Sequence, residues 1–377
     1  MTIPEPGRPR PISGSESLYL DLVRSLAAIV VVLDHVQDLF RMPLLPRLGH
    51  EAVVVFFVLS GYVICNTADS RETTLASFMT ARLARLWSVL VPALALTVLC
   101  DAIGRHFGTN PAVYARINAD YPFLRIGAAL TFLSETWVSI QPLSNGVIWS
   151  LCAEFWYYVL FAAFTFLPRG TARFLALAAT ALLAGFKALL LLPIWATGVL
   201  LQRWQGLRRI GRVAGTLLAL GGLAVVVAIT TLDIYGLAWA AARHSTSPWL
   251  FTQLAQAKTF WLDWIFGLAV AAHFAGMRRI GASLPLEQLA GPIRWAANLS
   301  FAAYLFHPPL LYLCASFLSP AQGWLALLIT FPLIALLGRP AEGSKGWWRR
   351  RLEHLLPVVS RGIGLPWPRG ATGSKAH

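Results

Sequence analysis

The 377-residue chain reads as an all-α, polytopic membrane bundle with both termini in the cytoplasm. About ten transmembrane helices are expected, and three observations lead there. Hydrophobic residues make up 57% of the chain and charged residues only 13%, where a soluble domain carries about 25%. Apolar runs long enough to cross hydrocarbon recur from end to end. The basic residues fall in short clusters between those runs, as cytoplasmic loops do. That last pattern accounts for the net charge of +14 by topology and sets nucleic acid aside as a partner.

Residues 1–17, rich in Pro, Ser and Gly with Arg8 and Arg10, form a cytoplasmic lead-in. The next stretch lacks a small-residue cleavage site and is long enough to span, so it reads as a retained helix. Spans are expected near 18–40, 51–67, 86–104, 147–167, 174–190, 191–204, 213–232, 259–276, 296–318 and 322–338. The fifth and sixth are short and meet at Leu192-Pro193, as a tight hairpin or a broken helix.

Segment 123–139 is apolar but carries Arg125, Ser134 and Glu135. If it does not span, about 23 of the 31 Lys and Arg residues lie inside and about 7 outside. If it spans, that balance inverts. The clusters Arg169/Arg173, Arg203/Arg208/Arg209/Arg212, Arg278/Arg279 and Arg349/Arg350/Arg351 therefore keep 105–146 extracytoplasmic, partly re-entrant or lying on the membrane. Residues 18–338 form the membrane domain. The basic tail 339–377 is a solvated or interfacial arm with an amphipathic piece around 346–356, and no soluble catalytic domain is expected after it. Cys65, Cys100, Cys152 and Cys314 have neither metal-ligand spacing nor a disulfide framework, and a Cys100–Cys152 bridge is conceivable only by position.

The candidate chemistry begins in the first span. Arg24 and His35 are eleven residues apart, which puts them on one helix face about 16 Å apart. A snorkelling arginine and a structurally satisfied histidine would explain the pair, but two ionisable groups aligned inside a bilayer favour a site. Asp21 is spaced to pair with Arg24, and Asp34 lies beside His35.

Arg82 and Arg85, at i and i+3, project from one side of the third span as a fork for phosphate oxygens. From the residues alone, topology-setting charge and lipid phosphate contact explain them better. Residues 49–64 (GHEAVVVFFVLSGYVI) are explained by packing, with Ser60-Gly61 allowing close backbone approach. In WSLCAEFWYY (149–158), Glu154 is a carboxylate that orients a partner or binds a hydroxyl, and Trp149 and its neighbours form an interfacial belt. In SFAAYLFHPP, Ser300, Tyr304 and His307 repeat along one face. Pro308 and Pro309 free carbonyls that the bundle must satisfy. Lys187, Asp263 and His273 have no partner assignable from sequence.

Together and in order, five pieces resemble the acyltransferase-3 family of integral membrane acyltransferases. They are YLDLVRSLAAIVVVLDHV, GHEAVVVFFVLSGYVI, RLAR at 82–85 leading into Leu86-Trp87, WSLCAEFWYY and SFAAYLFHPPLL. The resemblance implies transfer of an acyl group, usually acetyl, from cytoplasmic acyl-CoA to a hydroxyl on an extracytoplasmic or lipid-linked glycan. It implies that His35 is catalytic with Arg24 its companion, and that Arg82 and Arg85 contact the phosphates of coenzyme A. Glu154 joins them as a catalytic candidate. Asp34, Trp149, Ser150, Tyr304 and His307 fall on its substrate-facing stretches. Acyl-CoA enters as co-substrate, with no tightly bound cofactor and no metal. The other partners implied are the glycan or lipid-linked acceptor, membrane lipids and polysaccharide-assembly proteins, in a bacterial inner membrane. The lean is toward an exopolysaccharide or lipopolysaccharide acceptor. A glycan or lipid transporter is the alternative, since it too places ionisable groups in a bundle.

Overall fold

The computed structural model describes residues 12–362, except 45, 71, 73, 205, 207–209 and 282–283; the side chains of 70 and 356–362 are also left aside. Arg8, Arg10, Arg208, Arg209 and the end of the basic tail lie outside the described residues.

Helix α1 (Gly14–Phe40) starts where the Ser13 hydroxyl accepts the Glu16 amide, and ends at Arg41 in the left-handed region. Helix α2 (Gly49–Ser70) returns beside it. Helix α3 (Leu75–Phe107) begins eleven residues before the expected span, because Thr74 and Ser77 close a capping box there. After a short helix α4 (Pro122–Leu130) come α5 (Ile148–Phe166) and α6 (Thr171–Arg203). Helix α7 (Arg212–Thr231) packs on α10 (Phe260–Ile280), and the short α8 (Ile234–Ser245) and α9 (Pro248–Leu254) connect them. Helices α11 (Ala290–Phe317) and α12 (Gly323–Gly343) follow, then α13 (Lys345–Gly362), which packs on α3 and covers the amphipathic piece expected near 346–356.

Eight helical stretches among the described residues are long and apolar enough to cross a membrane. Helix α1 is not one of them, because Asp21, Arg24 and Asp34 interrupt its apolar run. We call the side where α1 begins the near end and the side where it stops the far end.

Two features locate the site. The guanidinium of Arg173 stacks on Phe164 at 4.3 Å and that of Arg203 on Phe161 at 5.5 Å. Thirty residues of straight helix would hold those arginines about 45 Å apart, so α6 must double back. The reversal is at Gly185, whose φ of 79° suits glycine and where an added Cβ would lie 2.7 Å from the Thr136 backbone. Leu182 and Lys187, on either side, both bond to residues 135–139. This corrects the expected break at Leu192-Pro193: the second limb runs helically through Pro193, and the residue able to adopt the turn lies eight positions earlier.

Segment 122–146 dips into the bundle and comes back. Arg125 is tied at the far end to the Asp120 and Gln141 carbonyls. Trp87 and Trp156 then donate to the Leu130 and Phe132 carbonyls, well inside the bundle. The return ends where Ser144 donates to buried Asp101, near the far end of α3.

Candidate functional site

The near-end half of the bundle encloses a cavity with an empty volume of about 770 Å³. Five helices contribute its polar wall: Arg24 from α1, Ser60 from α2, Arg82 and Arg85 from α3, Ser150, Glu154 and Tyr158 from α5, and Ser300 and Tyr304 from α11. Six of the sequence candidates (Arg24, Arg82, Arg85, Ser150, Glu154 and Tyr304) thus meet around one space.

Three guanidinium groups face that space against one carboxylate. Arg24 holds Asp21 at 2.7 Å, and Arg82 is paired with Glu72. The Nε of each is sealed from solvent with no hydrogen-bond partner, and Arg82 is only 8% exposed. Arg85 lies over the Phe301 ring at 5.9 Å and has no carboxylate partner among the described residues. Three guanidinium groups around one space can hold an anion, because guanidinium meets phosphate oxygens with two parallel bonds.

Glu154 does not touch a histidine or an arginine. Its Oε1 accepts from Ser60 and Tyr158, both at 2.5 Å. Ser60 also accepts from Trp195 Nε1 at 3.2 Å. This network exists because Gly61 lets the backbone of α6 come close; an added Cβ there would lie 2.0 Å from the Trp195 carbonyl oxygen. Tyr304 shares a 2.7 Å hydrogen bond with Ser150 and donates to the Val147 carbonyl.

His35, His307, Trp149 and Asp34 are not on this cavity wall. His307 rings against Tyr304 at 6.2 Å, and His35 against His307 at 4.8 Å, so the path from cavity to His35 passes two rings. His35 Nδ1 lies 2.9 Å from the Val31 carbonyl, and His307 Nδ1 2.8 Å from that of Ala303. A carbonyl only accepts, so both Nδ1 atoms carry the proton and each neutral ring keeps its lone pair on Nε2. The two then differ. His307 Nε2 is sealed and unpartnered, whereas His35 Nε2 is partnerless but unsealed on a half-buried ring. Of the two rings, His35 is the one whose Nε2 stays accessible.

Neither Asp34 nor Glu154 bonds His35; its Nδ1 partner is the Val31 carbonyl, one helical turn back. Asp34 instead accepts Arg47 Nε at 2.9 Å and faces a second cavity at the far end. Trp149 packs edge-on against Phe57, one residue removed from the space.

Several participants escaped sequence reasoning. Asn145 donates to the Leu305 carbonyl at 2.8 Å, the acceptor that Pro309 strips of its helical donor, and to Thr97 at 3.1 Å. Ser60 looked like packing alone. Lys187 is paired with Glu135 at 2.8 Å, Asp263 with His50 at 2.8 Å, and His273 with Tyr19. All four cysteines are free and buried.

Residues 17–339 match the family model described as an acyltransferase domain, of the acyltransferase-3 type. Among curated proteins, the chain is similar to an O-acetyl transferase of Shigella phage Sf6, 28% identical over 156 residues. That alignment takes in 38% of this chain and 45% of the phage protein, so the chain spans less than half the length of this relative. No solved structure matches.

Proposed function

The chain belongs to the acyltransferase-3 family, and from that membership we propose that it transfers an acyl group from acyl-CoA to a hydroxyl of a glycan or lipid-linked saccharide. The observation that carries the donor half is the near-end cavity, where Arg24, Arg82 and Arg85 face one space and Arg85 has no carboxylate partner among the described residues. A polyphosphorylated thioester matches that demand; a neutral lipid does not. The basic clusters of Arg173, Arg203, Arg278 and Arg279 lie at the same end, which supports reading it as the cytoplasmic end, where acyl-CoA is made. A bacterial inner membrane, acetyl as the acyl group and assembly proteins of the polysaccharide as neighbours complete the reading.

An extended pantetheine arm matches in length the ~16 Å of helix between Arg24 and His35, and to reach His35 it must displace the Tyr304 and His307 rings that stand between. His35 Nε2 takes the proton of the acceptor hydroxyl while its oxygen attacks the thioester carbonyl. Collapse of the adduct breaks the C–S bond, and the thiolate leaves as the free thiol with the proton from the imidazolium. The Nδ1–H bond to Val31 holds the ring in the required tautomer and steadies the imidazolium. A covalent acyl-imidazole route uses the same lone pair.

Mass spectrometry of surface glycans from cells with the wild-type chain, the His35→Ala variant or no chain tests this. An acyl ester present only with the wild type is the expected result. Identical glycans in all three, or an ester that survives His35→Ala, would overturn it.

A further inference from the structure

The far end holds a second cavity, with an empty volume of about 690 Å³, and its chemistry is opposite in kind to the first. We propose that it is a binding site for an uncharged, polyhydroxylated segment of the acceptor, with His50 as the residue that hydrogen-bonds one of its hydroxyls. This rests on the acyl-transfer reading above and assigns its acceptor side to named residues.

The wall carries charges that cancel. Asp34 and Glu51 face Arg47 and Lys258, and Arg47 is already committed to Asp34 at 2.9 Å and Asp38 at 3.2 Å. An anion would meet the two carboxylates, and a cation would meet the arginine and lysine. A ligand that both donates and accepts without net charge meets neither penalty. Trp239 also lines this space, with Arg243 over its ring at 5.5 Å and Phe251 edge-on at 5.3 Å, and its half-exposed indole is the kind of apolar surface a sugar ring covers with its C–H groups. The near-end cavity instead is lined by three arginines and one glutamate, two of the arginines paired with carboxylates that do not line it.

His50 stands out within this wall. Its Nε2 donates to Asp263 Oδ1 at 2.8 Å, and the Tyr235 hydroxyl donates to the same oxygen at 2.8 Å. Asp263 is 0% exposed and its Oδ2 is sealed without a partner, so a buried carboxylate anchors the ring from behind. His50 Nδ1 has no protein partner among the described residues and is not sealed; since His50 lines the cavity, that nitrogen opens on it. Ring orientation is therefore set before any ligand arrives. The Asp34 carboxylate approaches α2 at Gly49, where an added Cβ would lie 2.6 Å from Oδ2, so the next residue after Asp34, His35, sits on the α1 turn that borders this site.

The test uses the purified full-length chain in nanodiscs on an array of neutral oligosaccharides printed beside phosphorylated and uronate-bearing ones, with acetyl-CoA binding measured on the same samples. Wild type should retain neutral oligosaccharides. Trp239→Leu and His50→Gln should each weaken that retention about tenfold, the loss of one hydrogen bond or one stacking face, with acetyl-CoA affinity unchanged. Trp239 is half-exposed, so its variant keeps the test open if His50→Gln fails to fold. Retention of charged oligosaccharides only, no retention of any, or neutral retention untouched by both substitutions would overturn the proposal. Glycan retention without acetyl-CoA binding would instead leave this site standing and remove the donor half of the proposed function.

Discussion

Replacing Arg85 by Gln isolates the anion site more cleanly than any other change. Arg82 and Arg24 hold Glu72 and Asp21, so removing either leaves a carboxylate unpaired and confounds binding with stability. Arg85 has no carboxylate to abandon; it faces the cavity from α3 and rests on Phe301. A hydrogen bond to a charged group contributes roughly 1.5–3 kcal/mol, so acetyl-CoA should bind about 10- to 150-fold more weakly to Arg85→Gln. Thermal unfolding in detergent should move by no more than a surface substitution would, about 0.5 kcal/mol. Titration calorimetry with acetyl-CoA and with its 3′-dephospho form gives a second reading: if Arg85 meets that phosphate, the variant's loss shrinks for the dephospho ligand. Equal affinity of wild type and variant for acetyl-CoA would refute the anion-site reasoning and return Arg85 to a topology signal.

Four further substitutions probe the frame around the cavity. Gly61→Ala forces a Cβ to 2.0 Å from the Trp195 carbonyl oxygen, so α2 and α6 must separate, and a loss of about 1–3 kcal/mol should appear in detergent unfolding. Asn145→Ala leaves the Leu305 carbonyl, already without its helical donor at Pro309, unsatisfied; the same assay should register about 1–3 kcal/mol. Lys187→Met alone strands Glu135 in a site where the lysine is 4% exposed, whereas Lys187→Met with Glu135→Met should recover most of the lost stability. A double variant no more stable than the single one would contradict the pairing.

Much of the fold was legible because hydrophobic run length and basic clustering are local signals. The charge asymmetry that kept 123–139 from spanning is consistent with a segment whose Leu130 carbonyl reaches Trp87 and whose chain then returns. The turn in α6 was misplaced because proline marks helix breaks more visibly than a glycine whose partner, Thr136, is forty-nine residues away. The site was legible in part for a related reason. Arg24, Arg82 and Arg85 show themselves as charges within apolar helices, as does Glu154. Ser60, His50 and Asn145 take their roles from partners 94, 213 and 160 residues away, and nothing at their own positions records those contacts.

The most direct test of the account is release of free thiol from acetyl-CoA by the purified chain in acceptor-bearing membranes, wild type beside His35→Ala. Because His35 lies off the near-end wall, the variant should bind acetyl-CoA as wild type does yet release thiol about 100- to 10,000-fold more slowly, the range a general base supplies. Thiol release at the wild-type rate from a folded His35→Ala protein would contradict it.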